Sequence, residues 1–123
     1  MILVLKTNDQ NTEIILLNQN GKTVVKKTWQ FERRLAQELL PEIEKLLSDQ
    51  LTGLIVFTGP GSFTGLRIGI TAMNTLAYSL NIPIVGVNGD NWIVDGLKRI
   101  KNNENDQIVM PEYGAEANIT LPR

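Results

Sequence analysis

Gly59, Gly61, Gly65 and Gly69 fall within one stretch of eleven residues, Gly59-Pro60-Gly61-Ser62-Phe63-Thr64-Gly65-Leu66-Arg67-Ile68-Gly69. The stretch follows the apolar run Leu54–Phe57 and precedes a long apolar pattern of helical period. A glycine-rich turn that leads from a strand into a helix N-terminus points backbone N–H groups at an anion, so the first chemistry it suggests is phosphate binding. The hydroxyls of Ser62 and Thr64 stand where they would assist. The spacing counts against that reading. No Gly-Lys-Ser/Thr follows, as a P-loop requires, and the glycines at 59, 61 and 65 miss the G-x-G-x-x-G dinucleotide pattern by one residue. Asp90 is the acidic residue nearest the place where such a fold holds a ribose.

Other chemistries find fewer parts. Ser62 and Thr64 are candidate nucleophiles, but the chain has no histidine to act as their base, and no motif links a lysine to them. Asp9 and Glu13 lie four apart and can be read as a carboxylate pair, although turn residues of this kind are commonplace. With neither histidine nor cysteine, no ordinary zinc site can be built. Carboxylates alone still suit magnesium. The expectation is no catalytic residue, no metal site and no cofactor.

The structural reading of the turn is simpler. Gly59 and Gly61 flank Pro60, which suits a tight turn with left-handed positions. Gly65 and Gly69 stand at i, i+4 in a helix, where each costs about 1 kcal/mol relative to alanine. Bare backbone there lets the sheet or a partner helix come close. Arg67 lies between them on a different face, suited to an interface carboxylate or to solvent.

The elements that must position this stretch read as one α/β domain. At 123 residues, 42% hydrophobic and 20% charged, with a net charge of −1, the chain matches an ordinary globular protein with no electrostatic bias toward nucleic acid. Met1–Leu5 is too short an apolar run for a signal peptide or a membrane span, and a cytoplasmic location is expected. That run reads as a buried strand. Glu13–Leu17 and Lys22–Thr28 read as two more strands, joined by a turn ending in Asn20-Gly21. Leu35, Leu39, Ile43 and Leu46 recur at helical spacing, and Pro41 among them predicts a kink or two short helices. Leu54–Thr58 is the fourth strand. A second helix is expected from Thr64 to Leu80, capped by Ser62 or Thr64 and stopped by Asn81 and Pro83. Ile84–Val87 is a fifth strand, and Ile93, Leu97 and Ile100 share one face of a third helix. Lys101–Asp106 reads as a loop and Gln107–Arg123 as an extended tail, docked through Tyr113 and Ile119. Trp29 and Trp92 read as core or interface anchors. The order is βββαβαβα with an extended C-terminal tail.

The run Thr58 to Thr71, followed by Asn74-Thr75-Leu76-Ala77 and Ile82-Pro83-Ile84-Val85-Gly86-Val87, resembles the TsaB (YeaZ) family, the non-catalytic dimerization subunits of bacterial tRNA threonylcarbamoyladenosine synthesis. The resemblance covers residues 1–101. It implies a single actin-like (ASKHA, RNase H-like) α/β domain. It also implies a partner, the catalytic TsaD-type subunit that modifies adenosine 37 of tRNA, with a TsaE-like ATPase joining and a homodimer as an alternative association. Contact with tRNA would come only through that complex, with no membrane involved. In the family the N-terminal domains meet through their helices, here those around Phe31–Leu47 and Thr64–Leu80. The expected interface residues are Leu39, Ile43, Phe63, Arg67, Ile70 and Asn74.

This chain departs from the family pattern twice. Members usually have two actin-like halves, and residues 102–123 stand in place of the second, so a short form is expected. The first strand ends Leu5-Lys6-Thr7-Asn8 where the family shows Ile-Asp-Thr-Ser. An acidic residue at that turn helps hold magnesium in actin-like ATPases, and Lys6 would repel it. The catalytic relative also needs a histidine pair, which this chain lacks. The resemblance therefore implies a partner subunit. The alternative from the residues alone is a small nucleotide- or phosphate-binding enzyme using the Gly59–Gly65 turn.

Overall fold

The computed structural model describes residues 1–8, 11–30, 34–46 and 51–112, with the backbone alone at residue 63. Asp9, Phe31, Leu47, Tyr113, Ile119 and the side chain of Phe63, all named above, lie outside the described residues. The elements run β1 (Ile2–Lys6), β2 (Asn11–Leu17), β3 (Thr23–Gln30), α1 (Leu35–Glu44), β4 (Gly53–Phe57), α2 (Phe63–Leu80), β5 (Ile84–Val87) and α3 (Trp92–Lys101). This is the expected order.

The five strands form one mixed sheet in the order β3-β2-β1-β4-β5. β1 pairs antiparallel with β2 and parallel with β4, which places Leu3 beside Leu54 and Val4 beside Ile55. Period-two alternation then sorts the side chains. Leu3, Leu5 and Thr7 share a face with Leu54 and Val56; Val4 and Lys6 share the other with Ile55 and Phe57. Ile55 packs on Gly96 of α3, and Thr7 packs on Gly65 and Gly69 of α2. The helices therefore cover opposite faces, which is why Ile2–Leu5 of β1 and all of β4 are buried and apolar. The core is built from Leu3, Val4, Leu5, Leu54, Ile55 and Val56 with Leu66, Ile70 and Met73 of α2. Each such side chain contributes about 1.5–3 kcal/mol on full burial.

α1 does not break at Pro41. The helix runs from Leu35 to Glu44 with Pro41 inside it. The proline nitrogen forgoes a bond to the carbonyl of Gln37, and both residues are exposed, so water can serve that carbonyl. Leu35, Leu39 and Ile43 point the other way, into the core.

Residues 105–112 are strapped onto the domain. Val109 is buried, and its N–H and C=O bond the side-chain amide of Asn74 at 2.9 and 3.0 Å. Arg99 binds Glu104 at 2.7 Å and also Asp106. Those bonds, Asp106 first, raise the Arg99 guanidinium above its ordinary range.

Candidate functional site

The Gly59–Gly69 stretch is packed against the end of β1. Ser62 caps α2 by accepting a hydrogen bond from the Gly65 N–H at 3.2 Å, and the Ser62 N–H donates to the Asn8 carbonyl at 2.6 Å. The Thr7 hydroxyl donates to the Gly65 carbonyl at 2.8 Å. Two N–H groups of the turn are thus committed to internal acceptors. The Ser62 oxygen serves as the acceptor of the helix cap.

The glycines have separate reasons. Gly59 has φ +127, a conformation that L side chains rarely adopt. Gly61 has no positive φ, contrary to the tight-turn reading; a Cβ there would stand 2.8 Å from the Asn8 Cα and closer still to its carbonyl. A Cβ on Gly65 would meet the Thr7 carbonyl oxygen at 2.5 Å, and one on Gly69 would overlap the Thr7 side chain. The close approach foreseen for this pair is therefore made by the sheet. A side chain at 61, 65 or 69 would occupy space that Thr7 and Asn8, just after β1, already fill.

Lys6 also has a structural occupation. Its ammonium lies 4.9 Å from the Phe57 ring centre and 6.0 Å from that of Trp92, and the two rings meet edge to face at 5.3 Å. Cation–π attraction holds the charge over the rings on the α3 face of the sheet. Thr7, with opposite parity, faces the glycine turn. Glu13 lies opposite Lys6 in the β1–β2 pairing, and its carboxylate stands 4.0 Å from Lys26. Among the described residues no three carboxylates converge as a metal site.

The outer side of α2 is different. It forms an open groove with α1, about 400 Å³ in volume. Leu40, Thr64, Arg67, Ile68, Thr71 and Thr75 contribute to its lining. Leu40 is 43% exposed and stands on the rim of this groove. Arg67, one of the expected interface residues, is among the residues that line this groove.

Three of the expected interface residues do not reach the surface. Leu39, Ile43 and Ile70 are 1, 1 and 2% exposed and belong to the core of the chain itself. Helical spacing marks both the buried stripe and any partner stripe, and it cannot separate them without the direction of the sheet. Asn74 is half-buried and engaged with Val109. Leu40, Ile68, Thr71 and Thr75, which line the groove, are not among the expected interface residues.

Comparison with known proteins gives this geometry a context. Residues 30–105 match the family model of TsaD, tRNA N6-adenosine threonylcarbamoyltransferase. The chain is 35% identical over 92 residues to the tRNA threonylcarbamoyladenosine biosynthesis protein TsaB of Bacillus subtilis, covering 70% of this chain and 40% of that protein. It is 29% identical over 92 residues to TsaB of Haemophilus influenzae, covering 70% and 38%. The structure of YeaZ from Pseudomonas aeruginosa superposes with a TM-score of 0.63 at 30% identity, over 71% of this chain and 43% of that one. The chain thus spans about 40% of the length of the curated relatives it matches. The five-stranded mixed sheet with helices on both faces fits the actin-like fold of these relatives.

Proposed function

Because this chain belongs to the TsaD family and is TsaB-like, we propose that it is a non-catalytic subunit that binds a TsaD-type transferase and supports N6-threonylcarbamoyladenosine modification of tRNA at adenosine 37. The observation that carries this reading is the α1/α2 groove, an apolar trough rimmed by Leu40, Ile68 and Arg67 on the outside of the domain. A surface of this kind loses less by meeting another helix pair than by facing water. A TsaE-like ATPase joins the assembly, a homodimer through the same groove forms when the partner is absent, and tRNA is met only through the complex, in the cytoplasm.

The rival reading, a nucleotide or phosphate site at Gly59–Gly65, has less support. The turn spends the Ser62 and Gly65 N–H groups internally, and Thr7 and Asn8 pack directly against its glycines. Co-expression with the cognate TsaD-type chain tests the proposal. Size-exclusion chromatography with light scattering is expected to give a stable heteromeric peak at micromolar concentration, and separate elution of the two chains would refute it. Calorimetry with ATP and magnesium is expected to show no saturable binding in the millimolar range.

A further inference from the structure

The two edges of the sheet are treated in opposite ways. β5 ends the sheet on one side, and its outward groups are all occupied. The Ile84 N–H donates to Asn105 Oδ1 at 3.1 Å, and the Ile84 carbonyl accepts from the Asp106 N–H at 2.8 Å. The Gly86 N–H donates to Asp106 Oδ2 at 2.8 Å, and the Gly86 carbonyl accepts from Arg99 at 3.0 Å. No ladder group remains there to receive another strand.

β3 ends the sheet on the other side. It is the longest strand, eight residues, and is paired with β2 alone among the described elements. Its composition is distinctive. Lys26 and Lys27 lie within it, Lys22 just precedes it, and it holds no acidic residue. Lys26 and Lys27 are successive and so project from opposite faces. The nearest opposite charge to Lys26 is Glu13 at 4.0 Å with Lys26 well exposed, while Lys27 sits 5.5 Å above the half-buried Trp29 ring.

We propose that the β3 edge is a strand-addition site for an extended acidic segment of a partner protein, one with two adjacent carboxylates placed opposite Lys26 and Lys27. Edge lysines ordinarily deter pairing, because a second copy of the same strand brings like charges face to face. That deterrence selects among occupants. It rejects another β3 and favours a strand of opposite sign, and the main chain supplies the remaining affinity. The site uses none of the groove residues, so it stands or falls independently of the TsaD-type partnership.

The test uses the full chain and a fluorescent ten-residue peptide of Val and Thr with two central glutamates, at low salt. Saturable binding in the micromolar range is expected, with chemical-shift changes centred on amides 23–30. The Lys26→Glu/Lys27→Glu variant is expected to weaken binding at least tenfold, and the same peptide with lysines in place of glutamates is expected not to bind. A second variant, Lys26→Gln/Lys27→Gln, removes the charges without reversing them and guards against misfolding of the first, its fold checked by circular dichroism; it is expected to lose affinity to a smaller extent. Undetectable binding at millimolar peptide, unchanged affinity in both variants, or shifts confined to other strands would each overturn the proposal.

Discussion

The two sides of α2 solve opposite problems with one helix. Its inner side, Gly65, Leu66, Gly69, Ile70 and Met73, is stripped down until the backbone touches Thr7, just past β1. Its outer side, Thr64, Arg67, Ile68, Thr71 and Thr75, is furnished with side chains and left open beside α1. Helix propensity cannot explain the inner pair of glycines, which costs about 2 kcal/mol in a free helix. Close packing can: the sheet occupies the room that their side chains would have used. A residue inside α2 therefore matters to the fold through what it lacks, and one outside matters through what it presents.

That contrast can be broken experimentally, starting with the inner side. Gly65→Val is expected to cost about 3 kcal/mol or more in urea unfolding, because the obstacle is the Thr7 backbone and cannot rotate away. Gly69→Ala is expected to cost about 1–3 kcal/mol. Its obstacle is mostly the Thr7 side chain, so the Gly69→Ala/Thr7→Ala double variant should recover part of the loss. Absence of that recovery would mean the crowding lies elsewhere. Ser62→Ala, which removes only the cap, is expected to cost about 1 kcal/mol. On the outer side, Leu40→Glu should change unfolding stability by no more than about 0.5 kcal/mol. The same variant should weaken the heteromeric complex at least tenfold in a titration. Loss of stability with unchanged association would reverse the roles assigned to the two sides.

Much of this architecture was written plainly in the chain. The apolar runs at Met1–Leu5 and Leu54–Phe57 announce strands covered on both faces, and Asn20-Gly21 announces the β2–β3 hairpin. Ser62 as cap and Asn81 as stop of α2 were legible because capping is local chemistry, and Asn81 indeed takes the left-handed conformation. Long-range facts were hidden. Pro41 suggested a kink or two short helices, but its cost depends on whether the orphaned carbonyl reaches water, which only packing decides. Gly61 looked like a turn residue and is kept small by Asn8, more than fifty residues away in sequence. Lys6 was read as an obstacle to a metal, and its aromatic neighbours Phe57 and Trp92 come from two other elements. Leu39 and Leu40 are adjacent leucines, one sealed in and one exposed, and no periodicity tells which is which until the sheet fixes the inner direction.

The strap over residues 105–112 has a consequence for how the molecule opens. Asn74 holds Val109 from the middle of α2, while the Glu112 N–H donates to the Thr58 carbonyl and its carboxylate accepts from Asn88. The helix is therefore fastened at its first turn by Asn8 and at its centre by a segment more than thirty residues downstream. Unwinding from its C-terminal end must stop at Asn74 unless the strap lifts as well. The first three turns of α2, the strap and the ends of β4 and β5 thus form one opening unit. Hydrogen exchange is expected to release their amides together.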